Sequence, residues 1–215
     1  MKLLYVLTAL AAFNFVSAQK TISLDNFKGI DIGEDMKVIL VKSNENKLVT
    51  TNEDEDEVKA SNHNGLLLLN GYDSEVTLYY KGDLETIIVD EDATLSGNDE
   101  IKTKELKLVV GDDAVVDLNV NVQQLATVIK DDAVLTLNGK ASNHSADVKD
   151  DAVLKGTNLM TVNTTINLSA DAVASITVSG MVSAVAGSDS SLKISGKPKK
   201  VSKTVGEDAS VVLVD

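Results

Sequence analysis

Pairs of neighbouring aspartates recur along this chain, at Asp112-Asp113, Asp131-Asp132 and Asp150-Asp151. Closely set carboxylates of this kind could share calcium, which takes oxygen ligands. The alternative is structural: aspartate in a turn accepts backbone N–H bonds. With Asp113 as the reference, counterparts stand at Asp35, Asp73, Asp92, Asp132, Asp151, Asp171, Asp189 and Asp208. From Asp73 onward the spacings are 19, 21, 19, 19, 20, 18 and 19 residues, and the first spacing of 38 is two such periods. A fixed period near twenty is the signature of a stacked solenoid. Stacking puts successive aspartates about 4.8 Å apart, where two unit charges repel by about 0.9 kcal/mol in water. Such a column needs either a turn or a cation to explain it. His63 and His144 are isolated from any serine–aspartate or metal-ligand pattern, and His144 stands at the position that Leu106 and Leu125 hold in other repeats, which makes it a packing residue.

The segments around each aspartate alternate with period two. One, three and five residues beyond it come, for example, Ala114, Val116 and Leu118, then Ala133, Leu135 and Leu137. Between these lie Asp117 and Thr136, so one face is apolar and the other mostly polar, as in a strand with one buried side. A second strand precedes the aspartate, with Val110, Ile129, Val148 and Leu168 three residues before it. Two residues before it, glycine stands at Gly33, Gly71, Gly111, Gly187 and Gly206. These glycines suit a sharp corner with φ > 0. The corner set is therefore Gly71, Gly111, Gly187 and Gly206 with Asp92, Asp113, Asp132, Asp151, Asp171 and Asp208.

Identical rungs of about twenty residues bury their apolar face only by stacking on one another. The expected fold is all-β, a single-stranded right-handed parallel β-helix with coils of about 19–20 residues, roughly ten of them in a rod about 45 Å long. An antiparallel sandwich would not hold one residue type at a near-constant register through so many repeats. Residues 19–70 form irregular first coils and 71–215 the regular repeats. The acidic run Asn52–Val58 interrupts the repeat and reads as a solvated loop or hairpin end.

Residues 1–18 read as an export signal, with Lys2, the apolar Leu3–Val16 and the small-residue site Val16-Ser17-Ala18. There is no cysteine for lipid attachment or for disulfides, so packing alone must stabilise the exported chain, residues 19–215. No later apolar run is long enough to span a membrane. The net charge is −13 and all 20 basic residues are lysines. An acidic chain without arginine suits neither nucleic acid nor anionic membranes. The expected place is the periplasm, the outer-membrane surface or the extracellular space.

Two stretches carry a resemblance. Leu192-Lys193-Ile194-Ser195-Gly196-Lys197-Pro198, followed by the corner Gly206-Glu207-Asp208-Ala209, is similar to the closing rungs of the auto-transporter adhesin family with a head GIN domain. The opening Phe27-Lys28-Gly29-Ile30-Asp31-Ile32 resembles that family's first strand. The family abounds among exported proteins of Bacteroidetes-type bacteria, and its corners usually read Ser-Gly where this chain has Asp-Ala. The resemblance implies a right-handed β-helix and an adhesin-like binding or structural module with no catalytic residues, whose partner is a protein or glycan at the cell surface. A calcium-using β-helix polysaccharide lyase is the alternative, but rungs of 18 to 21 residues leave no room for inserted cleft walls. No cofactor is expected, except calcium at Asp112, Asp113, Asp131, Asp132, Asp150 and Asp151 on the metal reading of the column. The last rung, Val211-Val212-Leu213-Val214, has no covering residues, so self-association or docking through it is expected.

Overall fold

The computed structural model describes residues 20–50 and 58–214. The signal-like segment and the acidic run from Thr51 to Glu57 lie outside the described residues. What is described is all-β, a solenoid of about seven turns with no helix. The short early strands are β1 (Lys20–Ser23), β2 (Gly29–Ile32), β3 (Lys37–Lys42), β4 (Lys47–Thr50), β5 (Lys59–His63), β6 (Leu66–Asn70), β7 (Glu75–Tyr80) and β8 (Thr86–Val89). Five long strands follow, each running along most of a coil: β9 (Thr94–Val110), β10 (Val115–Ile129), β11 (Val134–Val148), β12 (Val153–Leu168) and β13 (Val173–Ala186). The last coils are β14 (Ser191–Ser195), β15 (Lys200–Val205) and β16 (Ser210–Leu213).

From β9 to β14 the coils stack in parallel and in sequence order. Val116 pairs with Leu135, Leu135 with Leu154, Leu154 with Ala174 and Ala174 with Leu192. All of these side chains are buried, as are Ala114, Ala133, Ala152 and Ala172 just after the corners. The period-two alternation therefore resolves into inward columns, each a stack of aliphatic side chains. Outside, amide groups stack in the same register. Asn138 Nδ2 donates to Asp117 Oδ1 at 3.1 Å, and Asn158 Nδ2 to Asn138 Oδ1 at 3.1 Å. A second such pair joins Asn163 to Asn143 at 3.0 Å. Asn138 thus donates to one coil and accepts from another, as a parallel in-register stack allows.

The first coils depart from the expected order. β3 pairs with β7 on one side and β9 on the other, and β2 likewise lies between β6 and β8. The rung of Asp35 thus sits between those of Asp73 and Asp92, not two periods ahead of Asp73. Beyond β6 and β7 the direction reverses. β4 runs antiparallel to β7, β5 antiparallel to β6, and β1 antiparallel to β4. The reversal between β5 and β6 is a two-residue turn, Asn64-Gly65, with both φ values positive as a tight hairpin requires. These segments cap the stack instead of adding parallel coils, so the solenoid has about seven turns and not ten.

At the other end β16 pairs only with β14, and β15 only with β13, among the described strands. Val205 and Leu213 are exposed there, whereas Ala186 and Ile194 beneath them are buried. The end is not wholly bare. Lys203 stands over the buried Ala184 in the inward column, and its Nζ donates to the Val211 carbonyl at 3.1 Å.

Candidate functional site

The aspartate column lies along one exposed edge of the rod. At each corner the anchor aspartate is left-handed, and at most of them the residue before it is too, for example Asp112 (φ 48°) with Asp113 (φ 61°) and Asp131 (φ 53°) with Asp132 (φ 60°). The preceding glycines are not: Gly33, Gly71, Gly111, Gly187 and Gly206 all lack positive φ. The conformation expected of glycine falls on the aspartates, which tolerate that region better than most side chains. Asp90, Lys130, Lys149 and Ser169 occupy the glycine position in other coils, so the turn itself does not demand glycine. At Gly111 the reason is space, because a Cβ there would come within 2.7 Å of Asp90 Oδ1.

The carboxylates do not close these turns. Ala114 N donates to the Gly111 carbonyl at 3.0 Å, and the N–H of Asp113 donates to the Asp131 carbonyl in the next coil at 2.9 Å. The same corner-to-corner bonds join Asp92 to Asp112, Asp132 to Asp150 and Asp151 to Ala170. Backbone thus satisfies backbone up the edge, and no anchor aspartate side chain in the described residues accepts a hydrogen bond. The doubled pairs are partly neutralised by lysine. Lys130 Nζ contacts Asp131 Oδ2 and lies 3.7 Å from Asp112 Oδ1, and these carboxylates raise its pKa, the hydrogen bond to Asp131 foremost. Among the described residues, no three His, Cys, Asp or Glu side chains come together in a way that could hold a metal ion. The sequence-predicted calcium positions Asp112, Asp113, Asp131, Asp132, Asp150 and Asp151 therefore form a ladder without a closed ligand set.

The interleaving of β2 and β3 creates an acidic cleft that the sequence order conceals. Asp31, Glu34, Asp90 and Glu91 line a pocket of about 250 Å³. The Glu34 N–H donates to Glu91 Oε2 at 3.1 Å. Burial, then the charge of Glu91, raises the Asp31 pKa. Burial also raises that of Asp90, whose Oδ1 has no hydrogen-bond partner, with Asp112 adding to the shift and Lys130 opposing it.

His144 is inside the core, only 3% exposed. It pairs across the coils with Leu125 and Thr164, and its Nε2 lies 3.0 Å from Thr127 Oγ1, while Nδ1 has no partner. Burial lowers its pKa to about 4. It is a packing residue held neutral, as its column position suggests, although more deeply buried than the pattern alone conveys.

A further concavity lies where coil length changes. Between β7 and β8 the chain crosses in five residues, Lys81–Glu85, with Leu84 fully buried to pin the crossing. The next coil takes a longer path through Asn98–Leu106. Beside it is a recess of about 720 Å³ whose lining includes Asp83, Thr86, Lys104, Glu105, Lys107 and Gln124. A second hollow, near Lys102, Asn121 and Gln123, shares Asp83, Thr103 and Lys104 with it. The 21-residue coil after Asp92 is two residues longer than the 19-residue coil before it, and its pairing with β10 shifts register between Leu118 and Asn119. These two spacings were the only trace of the recess in the sequence.

The fold and this inventory can be set beside known proteins. The family described as putative auto-transporter adhesin, head GIN domain, matches residues 26–198. The chain belongs to that family. No sequence among the curated proteins matches it. Among solved structures, a putative adhesin from Bacteroides fragilis is similar with a TM-score of 0.83 at 15% identity, over 92% of this chain and 96% of that one. A putative adhesin from Parabacteroides merdae gives 0.74 at 15% identity over the same shares. A putative lipid binding protein from Parabacteroides distasonis gives 0.69 at 12% identity, again over 92% and 96%. At these identities the likeness is one of fold. The family and these neighbours are named as adhesins or lipid-binding proteins, not as enzymes.

Proposed function

We propose that this protein is an exported, non-catalytic binding module: an adhesin-like β-solenoid that works in the periplasm, on the outer-membrane surface or outside the cell, and engages a protein or glycan there. Family membership over residues 26–198 supports this reading more than any other single observation. The architecture is consistent with it. Inward side chains are committed to packing, while the outward faces of a stiff stack remain for display. The export signal expected at residues 1–18 supplies the route.

The test is incubation of the protein with polysaccharides and extracellular-matrix components, read for both binding and turnover. Saturable binding without product is the expected result. Release of unsaturated or reducing sugar ends would favour a polysaccharide-active enzyme instead. Self-association through the C-terminal rung belongs to the same reading, supported by the exposed Val205 and Leu213 and the one-sided pairing of β15 and β16. Light scattering at rising concentration should then show oligomers, and a strictly monomeric protein would count against it.

A further inference from the structure

We propose that the recess between the Lys81–Glu85 crossing and the Thr103–Lys107 stretch of β9 is a carbohydrate subsite for a short segment of a neutral glycan. This rests on the binding-module reading and locates its ligand. Three observations carry it: size, unengaged chemistry and charge balance.

The recess, about 720 Å³, lies within the range of clefts that take small ligands, about 300–1,000 Å³. Its walls are rigid. Thr86 pairs with Lys107 across β8 and β9, and Lys107 with Ala126, and Glu105 with Gln124, across β9 and β10. The side chains of Thr86, Glu105, Lys107 and Gln124 are therefore held at strand spacing, and Asp83 is placed by the crossing that the buried Leu84 pins.

Among the described residues, Asp83, Lys104, Glu105, Lys107 and Gln124 make no side-chain hydrogen bond or ion pair, whereas some of their neighbours do. Glu85 is held by Lys28 at 2.7 Å and Lys102 by Glu100 at 2.9 Å. The recess thus offers carboxylate acceptors, ammonium donors and an amide that both donates and accepts, within one concave surface. Vicinal hydroxyls of a sugar, each both donor and acceptor, are the chemistry that such an alternation satisfies. The exposed Ala126 adds a methyl group to the lining for the C–H face of a ring.

The lining carries two lysines against three carboxylates, one of which, Glu85, is paired with Lys28, so the site has no surplus of positive charge to attract an acidic sugar. The chain as a whole carries −13, which repels polyanions at long range. No aromatic ring lines the recess to stack on a sugar, so the affinity is modest, with Kd on the order of 1 mM for a short oligosaccharide.

The experiment is titration of the protein with neutral gluco-, manno- and galacto-oligosaccharides and with an oligogalacturonate, followed by chemical-shift changes. Asp83 and Gln124 are exposed, so the Asp83→Ala/Gln124→Ala variant should melt like the parent. We expect saturable binding of at least one neutral oligosaccharide. The double variant should weaken it at least tenfold, and Lys193→Ala, outside the recess, should leave it unchanged. Equal binding by the double variant would place any glycan elsewhere and overturn the subsite. So would binding of oligogalacturonate alone, or no binding of any neutral oligosaccharide. The broader binding-module reading falls separately, if the protein also binds no matrix or surface component.

Discussion

His144 is the residue whose environment has the clearest thermodynamic consequence. Burial depresses its folded-state pKa from 6.5 to about 4, so the native state resists a proton that the unfolded state accepts. Above pH ~6.5 both states are neutral and nothing is lost. As pH falls from ~6.5 to ~4 stability declines, by about 3 kcal/mol in all, and then levels off. Asp31 and Asp90 act in the opposite sense, since carboxyl groups with raised pKa values favour the folded state as they protonate. Comparing urea unfolding of the parent and His144→Leu between pH 7.5 and 4 isolates the histidine, because leucine already occupies this column at Leu106 and Leu125. The variant should lose most of the acid-dependent decline; an unchanged slope would show that His144 is not the group responsible. The corner aspartates carry a second residue-scale prediction. Asparagine keeps the tolerance for left-handed backbone and removes the charge. Asp113→Asn/Asp132→Asn should raise Tm by roughly 1–3 °C at low salt, with the gain fading near 1 M NaCl.

At the scale of elements, the decisive feature is the insertion of β3 between β7 and β9. Neighbouring parallel strands lie about 4.8 Å apart, within reach of a disulfide, while strands two places apart are not. Ile39 pairs with Thr77 on one side and Ser96 on the other. The Ile39→Cys/Ser96→Cys variant should therefore oxidise readily, whereas Thr77→Cys/Ser96→Cys should stay reduced. The reverse outcome would restore sequence order to the first coils. Position along the stack also sets the cost of truncation. Leu135, fully buried between two coils, should cost about 2–5 kcal/mol as alanine. Leu213, 53% exposed in the last strand, should cost well under half of that.

For the whole molecule, the question is whether the long row of carboxylates serves a ligand or a shape. Two of them, Asp112 and Asp131, share a lysine, and the corners are closed by their own backbone. We expect equal melting temperatures in millimolar calcium and in chelator; a rise of several degrees with calcium would show that successive corners do share the cation. Function is better sought where the stack is irregular. The Lys81–Glu85 crossing, beside the longer coil after Asp92, is one such place, and a recess of about 720 Å³ lies there.

Much of this was legible in the sequence for a local reason. Alternation and period depend on which side chains are apolar, and a side chain such as Val116 or Leu135 faces inward whichever coil lies next to it. The all-β class, the inward columns, the corner positions and the packing role of His144 all follow from that. Strand order does not. Val76, Val38 and Leu95 are equally good aliphatic partners, so the inward column is filled whether β3 precedes β7 or follows it. Only the non-local pairing of complete coils chose the interleaved order, and with it the antiparallel cap and the meeting of Asp31 with Glu91. The corner shows the same division. Its position was fixed by the repeated Asp-Ala pair, but that the aspartates take the left-handed backbone, while Gly111 yields space to Asp90, depended on how the neighbouring coils close against it.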